Sequence, residues 1–283
     1  MSNPAILVED FFRLDSASVT DPGAATGKPA SRLRDSADYL AWTGADSATV
    51  SYTVDLGVGN ATEANAFAII GSNMNENGCA GFYVQYSDNG SSWTTQVGVT
   101  TPADRARGDL FTTFDGAGAH RYWRVNWYAA TSAHQAREIY LGRRVDFPEG
   151  IATVEGWDPR AEVPVNRSYR SEQGYIVETI SDFIGREPQW TFKFLLQSFW
   201  DDETEWTGFR WWWDNYALQG KMGVFMWAPG KGDGVYNPGA STTDFEWDGL
   251  FGMPIVSGSP TLETSVDRGY RGVSFRIRGR YDG

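Results

Sequence analysis

The sequence predicts a mainly β protein, with an N-terminal β-sandwich followed by a second β-rich domain, itself sandwich- or barrel-like, that carries one amphipathic helix. Three observations point there. Short strand signals separated by turn residues recur between residues 31 and 147. A second set of strands, interrupted by one helical stripe, follows Asp146-Phe147-Pro148-Glu149-Gly150. At 283 residues the chain is long enough for two domains that each bury a core.

Residues 1–30 begin apolar and turn Gly/Ala/Pro/Thr-rich after position 21, and read as an arm and loop. Over 49–56, Val50, Tyr52, Val54 and Leu56 face one way and Ser51, Thr53 and Asp55 the other, as a sheet with one buried face requires. Residues 66–70 are a short apolar run suited to an interior strand. Strand 82–86 ends in Ser87-Asp88-Asn89-Gly90, whose Asn-Gly favours a tight turn, and 93–99 returns from it. Strand 121–128 puts Trp123, Val125 and Trp127 on one face, and 138–141 closes the set before Gly142. Strands of this length and spacing build a β-sandwich.

The second domain spans 148–283, with strands at 161–165, 174–180 and 189–196, the last placing Trp190, Phe192, Phe194 and Leu196 on one face. A helix is predicted over 202–217. Asp202, Glu203 and Glu205 would occupy its first turn, where the helix dipole favours acids. Trp206, Phe209, Trp213 and Tyr216 then recur at helical spacing, and Gly220 ends the element. Strands at 222–227, 243–253, 261–266 and 271–278 complete the domain, and the two halves share no repeat.

Composition narrows the function. With 36 Asp/Glu against 24 Lys/Arg the net charge is −12, an acidic surface that repels phosphate backbones and argues against nucleic acid as partner. No apolar run is long enough to cross a membrane as a helix, and the first residues lack the basic-then-apolar pattern of a secretory signal. Cys79 is the only cysteine, so no intramolecular disulfide forms, which fits assembly in a reducing compartment. The 13 Trp, 13 Tyr and 16 Phe are the compositional anomaly. Aromatic excess serves sugar stacking and protein interfaces alike.

Four pieces in order carry a family resemblance: Trp42 with Val54-Asp55-Leu56-Gly57; Tyr83-Val84-Gln85-Tyr86-Ser87-Asp88-Asn89-Gly90-Ser91-Ser92-Trp93; Arg121-Tyr122-Trp123-Arg124-Val125; and Glu138-Ile139-Tyr140-Leu141-Gly142. Residues about 31–145 resemble the discoidin-like family of galactose-binding-like modules, which implies a jelly-roll sandwich built for binding. Pro29-Ala30-Ser31-Arg32-Leu33-Arg34-Asp35 and Ile69-Ile70-Gly71-Ser72-Asn73-Met74 make this variant look like modules of tailed-bacteriophage structural proteins. The second half is similar in element order to distal-tail and tail-tip proteins, through the helix, Gly223-Val224-Phe225-Met226-Trp227-Ala228-Pro229 and Gly272-Val273-Ser274-Phe275-Arg276-Ile277-Arg278. That resemblance implies a virion subunit, assembled in the host cytoplasm, that oligomerises through its second domain and displays the first. Its partners would be other copies, neighbouring tail proteins and a cell-surface glycan. A free-standing glycan-binding protein is the alternative, and a glycan-active enzyme with a binding module the third.

No catalytic set is evident, and no cofactor is implied. His120 and His134 stand alone, without a Gly-x-Ser-x-Gly elbow or a second His at ligand spacing, so neither a triad nor a metal site is expected. The acids Asp201, Asp202, Glu203 and Glu205 offer paired carboxylates of the glycosidase kind, but helix capping explains them as well. Gly230-Lys231-Gly232-Asp233-Gly234 lacks the phosphate-loop frame. A glycan would meet Tyr39, Trp42, Asn73, Asn75, Asn77 and Arg107: aromatic faces for the sugar ring, amides and guanidinium for paired hydroxyls. Core packing competes for Trp42. In Trp211-Trp212-Trp213, successive helix positions are about 100° apart, so the three rings cannot share one core. Trp213 belongs to the apolar stripe; Trp211 and Trp212 are assigned to a partner interface, with sugar stacking as the alternative.

Overall fold

A computed structural model describes residues 5–7, 9–35, 40–74, 76–100, 109–148, 162–170, 173, 176–186, 189–205, 208–221, 223–227, 248–255 and 270–281. It is mainly β, with several antiparallel sheets and one short helix in the C-terminal half. The chain divides into two compact units, one of residues 6–145 with 226–249, the other of 1–5, 146–225 and 250–283.

The first unit contains most of twelve strands: β1 Ala5–Leu7, β2 Ser18–Thr20, β3 Trp42–Thr43, β4 Val50–Asp55, β5 Ala66–Ile70, β6 Gly81–Ser87, β7 Thr94–Thr100, β8 Leu110–Thr113, β9 Tyr122–Trp127, β10 Gln135–Ala136, β11 Glu138–Gly142 and β12 Arg144–Asp146. A five-stranded sheet runs β2-β4-β9-β6-β7, a three-stranded sheet runs β11-β5-β8, and β3 and β10 form a ribbon. One hydrophobic cluster joins the sheets, with Val54, Val84, Trp123 and Val125 from the first and Phe67, Ile69, Leu110, Ile139 and Leu141 from the second. Phe67 meets Phe82 across it at 4.6 Å. The period-2 pattern decides the faces: Trp123, Val125 and Trp127 are buried while Tyr122, Arg124 and Asn126 between them are half-buried. After β6 the side chains of Ser87 and Asn89 collect the amides of Asn89, Gly90, Ser91 and Ser92, and Gly90 takes the left-handed φ of 71° that the turn needs.

Residues 1–30 were expected to be an arm and loop. Instead, residues from this stretch complete the first unit. Asp10 accepts the amide of Phe12 at 3.2 Å and opens a 3-10 turn at Phe11–Arg13, which drives both phenylalanines into the core. Phe12 stacks on Tyr52 at 4.3 Å, and β2 pairs with β4. An apolar pair flanked by charge, too short to show a period, carries no strand or helix signature.

The second unit holds β13 Glu162–Arg170, β14 Ile176–Arg186, β15 Gln189–Leu196, β16 Gly223–Trp227, β17 Asp248–Ile255 and β18 Tyr270–Tyr281. These strands are ordered β16-β17-β18-β14-β13, with β15 also on β18. β14 and β15 share one register along β18, from Ile184 opposite Tyr281 through Gln189 opposite Arg276 to Phe192 opposite Val273. Among the described residues, the remainder of β14 pairs with β13 alone. The core is aromatic: Phe147 stacks on Phe192 at 4.1 Å with planes 2° apart, and Trp190, Phe209, Trp212, Phe225 and Phe275 pack around them.

The helix is shorter than the 202–217 expected. A four-residue turn, α1 Gln197–Trp200, precedes it, and α2 Phe209–Trp212 continues as a π-helix over Trp213–Ala217. Between them the chain doubles back: the Asp202 carboxylate takes the Thr204 amide at 2.9 Å, and the Asp202 carbonyl takes the Arg210 amide at 3.0 Å. A Cβ on Gly208 would stand 2.2 Å from that carbonyl, so only glycine lets the helix start there. The acids at 201–205 therefore precede the helix and do not line its first turn; Trp206 lies outside the described residues.

Phe12→Ala is expected to lower unfolding free energy by about 3–5 kcal/mol in denaturant titration, as for a buried Phe. A change within about 0.5 kcal/mol would mark residues 10–13 as a surface appendage.

Candidate functional site

Three segments converge at one end of the first unit: 42–48, 71–79 and 129–137. The β3–β10 pairing brings the first to the third, with Trp42 opposite Ala136 and Thr43 opposite Gln135. Asparagine side chains tie in the middle one. Asn73 donates to the Ala133 carbonyl at 2.9 Å and accepts the Gln135 amide at 2.8 Å. Asn77 donates to the Asn73 amide oxygen at 3.1 Å and to His134 Nδ1 at 3.2 Å, and accepts the Cys79 amide at 2.9 Å. Its own carbonyl takes the amide and hydroxyl of Thr131, both at 2.7 Å. Gly78 sits beside Thr131 with φ of 72°, where a Cβ would lie 3.0 Å from the hydroxyl.

Beneath this network Trp42 and Trp127 pack at 5.1 Å, and Trp127 meets His134 at 5.6 Å. Burial pushes the His134 imidazole below its ordinary range, against the pull of the Ala48 and Tyr128 carbonyls. It is therefore neutral at pH 7, with Nδ1 accepting from Asn77 and the proton on Nε2. The rim is polar: Asp46, Glu76, Thr131, Ser132 and Gln135 are exposed.

The candidate ligand residues are thus partly gathered, but in other roles. Trp42, Asn73 and Asn77 do come together. Trp42 is fully buried, and the two asparagines hold the loops. Tyr39, Asn75 and Arg107 lie outside the described residues. Asp109, two residues beyond Arg107 in sequence, accepts the Gly71 amide at 2.6 Å. In the second unit Trp212 is buried against Phe209, Phe225 and Phe275, so its ring has no face for a partner; two consecutive Trp face one core because the π-turn is wider than an α-turn. Trp211 is half-buried beside Tyr216. His120 stacks on Tyr86 at 3.8 Å and bonds Asp88 at 2.8 Å.

One charged cluster escaped the sequence reading. The Arg13 guanidinium is bonded to the carboxylates of Asp10 and Glu138, to the Ile139 carbonyl at 2.9 Å and to that of Leu33 at 3.5 Å, and lies 4.0 Å over the Tyr140 ring. Glu138 is fully buried on β11. Burial raises its pKa from 4.5 to about 8, opposed by Arg13 and reinforced by Asp35 and Asp10. A glutamate opening the otherwise apolar run Glu138-Ile139-Tyr140-Leu141 was the available signal.

No protein-family model and no curated protein matches the chain. CpGH89CBM32-6 from Clostridium perfringens is 19% identical over 48% of this chain and 99% of its own, with a TM-score of 0.39. The chitosan-binding module 1 of a chitosanase/glucanase from Paenibacillus sp. IK-5 is 19% identical over 45% and 96%, with a TM-score of 0.37. A GH29 fucosidase from Ruminococcus gnavus is 16% identical over 48% of this chain and 26% of the enzyme, with a TM-score of 0.40.

Glu138 makes stability pH-dependent. The folded protein holds this proton up to about pH 8, whereas the unfolded chain releases it near 4.5. The contribution is thus complete below the lower value, shrinks as pH rises between the two and is gone above the upper, at a slope of at most about 1.4 kcal/mol per pH unit. Glu138→Gln is expected to flatten that interval in denaturation midpoints measured from pH 5 to 8.

Proposed function

We propose that the loop end of the first unit binds a saccharide, and that this unit is a non-catalytic jelly-roll module of the discoidin-like, galactose-binding-like kind. The observation that carries the reading is the cross-bracing of three loops by Asn73, Asn77 and His134. Bracing fixes the loops before any ligand arrives, which lowers the entropy cost of binding. The rim it presents, Asp46, Glu76, Thr131, Ser132 and Gln135, supplies carboxylate, hydroxyl and amide groups suited to sugar hydroxyls. His134 is spent on the scaffold, and of the acids at 201–205 Asp201 holds Gln197 and Asp202 the chain reversal, which supports binding without catalysis.

A second reading, compatible with the first, makes the chain a virion subunit that assembles through its second unit. The β13–β14 hairpin favours it. Isolated two-stranded ribbons are marginal in water, and from Ile176 to Phe183 this one has no third strand among the described residues. A neighbouring subunit would supply one. On this reading the protein resides in the virion, after assembly in a host cytoplasm.

Titration with neutral oligosaccharides, followed by amide chemical shifts, tests the first reading. Shifts are expected in 44–48, 72–79 and 130–136, and Gln135→Ala with Glu76→Ala is expected to weaken binding about tenfold, the loss of one or two hydrogen bonds. Shifts elsewhere, or an affinity indifferent to both substitutions, would overturn it. Light scattering tests the second: a discrete multimer is expected, and a monomer at high concentration removes it.

A further inference from the structure

The outward face of the five-stranded sheet carries aromatic and polar side chains that neither the core nor the braced loops use. Strand parity and register place them. Tyr122, Arg124 and Asn126 alternate with the buried residues of β9, and Tyr128 extends the same face, its amide bonded to the Gly81 carbonyl at 3.0 Å. Across the ladder Tyr83 and Gln85 of β6 stand opposite Asn126 and Arg124, and Ser51 and Thr53 of β4 flank them on the other side. At the end nearer the braced loops Tyr83 and Tyr128 meet at 4.6 Å with planes 61° apart. A Cβ at Gly98 would come within 3.2 Å of the Tyr83 ring, so the bare backbone of β7 makes room for it. Four residues along β9, about 14 Å away, the Arg124 guanidinium lies 4.1 Å over the Trp93 ring and donates through Nε to Gln85 Oε1 at 2.7 Å. Gln85 in turn donates to Thr95 at 3.0 Å.

Arg124 differs from Arg13, Arg121 and Arg143, each of which bonds a carboxylate. In a chain of net charge −12, its partners among the described residues are the neutral Gln85 and Trp93. Asp55, the acid that β4 brings beside it on this face, is taken up bidentately by Arg121 at 2.6 and 2.7 Å. The stack on Trp93 and the Nε bond hold the guanidinium in place. Its two terminal nitrogens are thus fixed donors that no described protein group uses.

We propose that this face continues the loop-end site and binds a linear acidic oligosaccharide, with a sugar ring against Tyr83 and Tyr128 and a uronate carboxylate on the terminal nitrogens of Arg124. The proposal rests on the saccharide reading for its class of ligand, and the sheet face adds length and charge. A guanidinium fork is complementary to the two oxygens of a carboxylate. Aromatic rings offer a sugar an apolar surface, and Ser51, Asn126 and Thr95 border the track with hydroxyl and amide groups. No single sugar ring spans the distance from the tyrosine pair to Arg124, so the ligand is a chain.

Calorimetric titration with tetramers of galacturonate and of mannuronate, with monomeric galacturonate and with the neutral cellotetraose tests it. At least one acidic tetramer is expected to bind about tenfold or more tighter than both the monomer and cellotetraose, the worth of a charge-assisted hydrogen bond. Arg124→Gln is expected to abolish the advantage over cellotetraose, and Tyr83→Ala to weaken the acidic tetramer about tenfold. Both side chains are half-buried, so the melting temperatures of the variants should stay near that of the parent. In the unaltered protein, amide shifts on adding the acidic tetramer are expected along 83–85, 93–95 and 124–128, a readout that needs no variant to fold. Arg124→Gln should leave neutral oligosaccharides at the loop end unaffected, so this proposal and the saccharide reading fail separately. Equal affinity for acidic and neutral tetramers, no binding of either acidic tetramer, shifts confined to the loop end, or an affinity indifferent to both substitutions would overturn it. Self-association that Arg124→Gln abolishes would overturn it too, since the face would then serve another copy of the chain.

Discussion

The first unit depends on one half-buried guanidinium. Arg13 reaches from the turn after β1 to Asp10 beside it, to the carbonyl of Leu33 in the second 3-10 turn, and to Glu138 and Ile139 on β11. Segments more than a hundred residues apart in sequence are thus tied by one side chain. Hydrophobic burial alone would bring Phe11, Leu33 and Ile139 into the same core without specifying how their backbones stand. A five-donor planar group, with its bonds aimed at two carboxylates and two carbonyls, fixes that arrangement. The cost is the desolvation of the charges, and it falls on Glu138, which holds a proton to about pH 8 in place of standing as a second buried anion.

Sequence periodicity found most of this fold where the pattern was long enough to read. β4 and β9 alternate over six residues against a single buried face, and the expected strands match those observed to within a residue at each end. β5 and β11, buried along their whole length, were visible as apolar runs. The N-terminal turn was not visible because Phe11-Phe12 is a pair and not a pattern, and because Leu33, Glu138 and Ile139, which hold Arg13 beside it, are remote in sequence. The helix was misplaced for a local reason. The aromatic spacing was sound at Phe209 and Trp213, but a chain reversal at Gly208 cuts the helix short, and the wider π-turn buries Trp212 and Trp213 together.

The loop end was legible in location and not in role. Trp42, Asn73 and Asn77 were chosen for chemistry that suits sugars, and the fold does assemble them. Yet a small polar side chain in a turn-rich segment is equally suited to satisfying backbone groups, and that use wins here because a loop folded over a Trp pair leaves amides and carbonyls needing partners. Only distances distinguish the two uses. The exposed polar groups at the rim are others, Thr131, Ser132 and Gln135.

The same distinction between scaffold and surface runs through the first unit. At the loop end the buried polar side chains Asn77 and His134 are bonded to each other, so they serve the scaffold. The charged cluster is likewise scaffold: Arg13 is held by Asp10, Glu138 and two backbone carbonyls. Burial, and not Arg13, keeps Glu138 protonated: the guanidinium favours the carboxylate, and desolvation outweighs it.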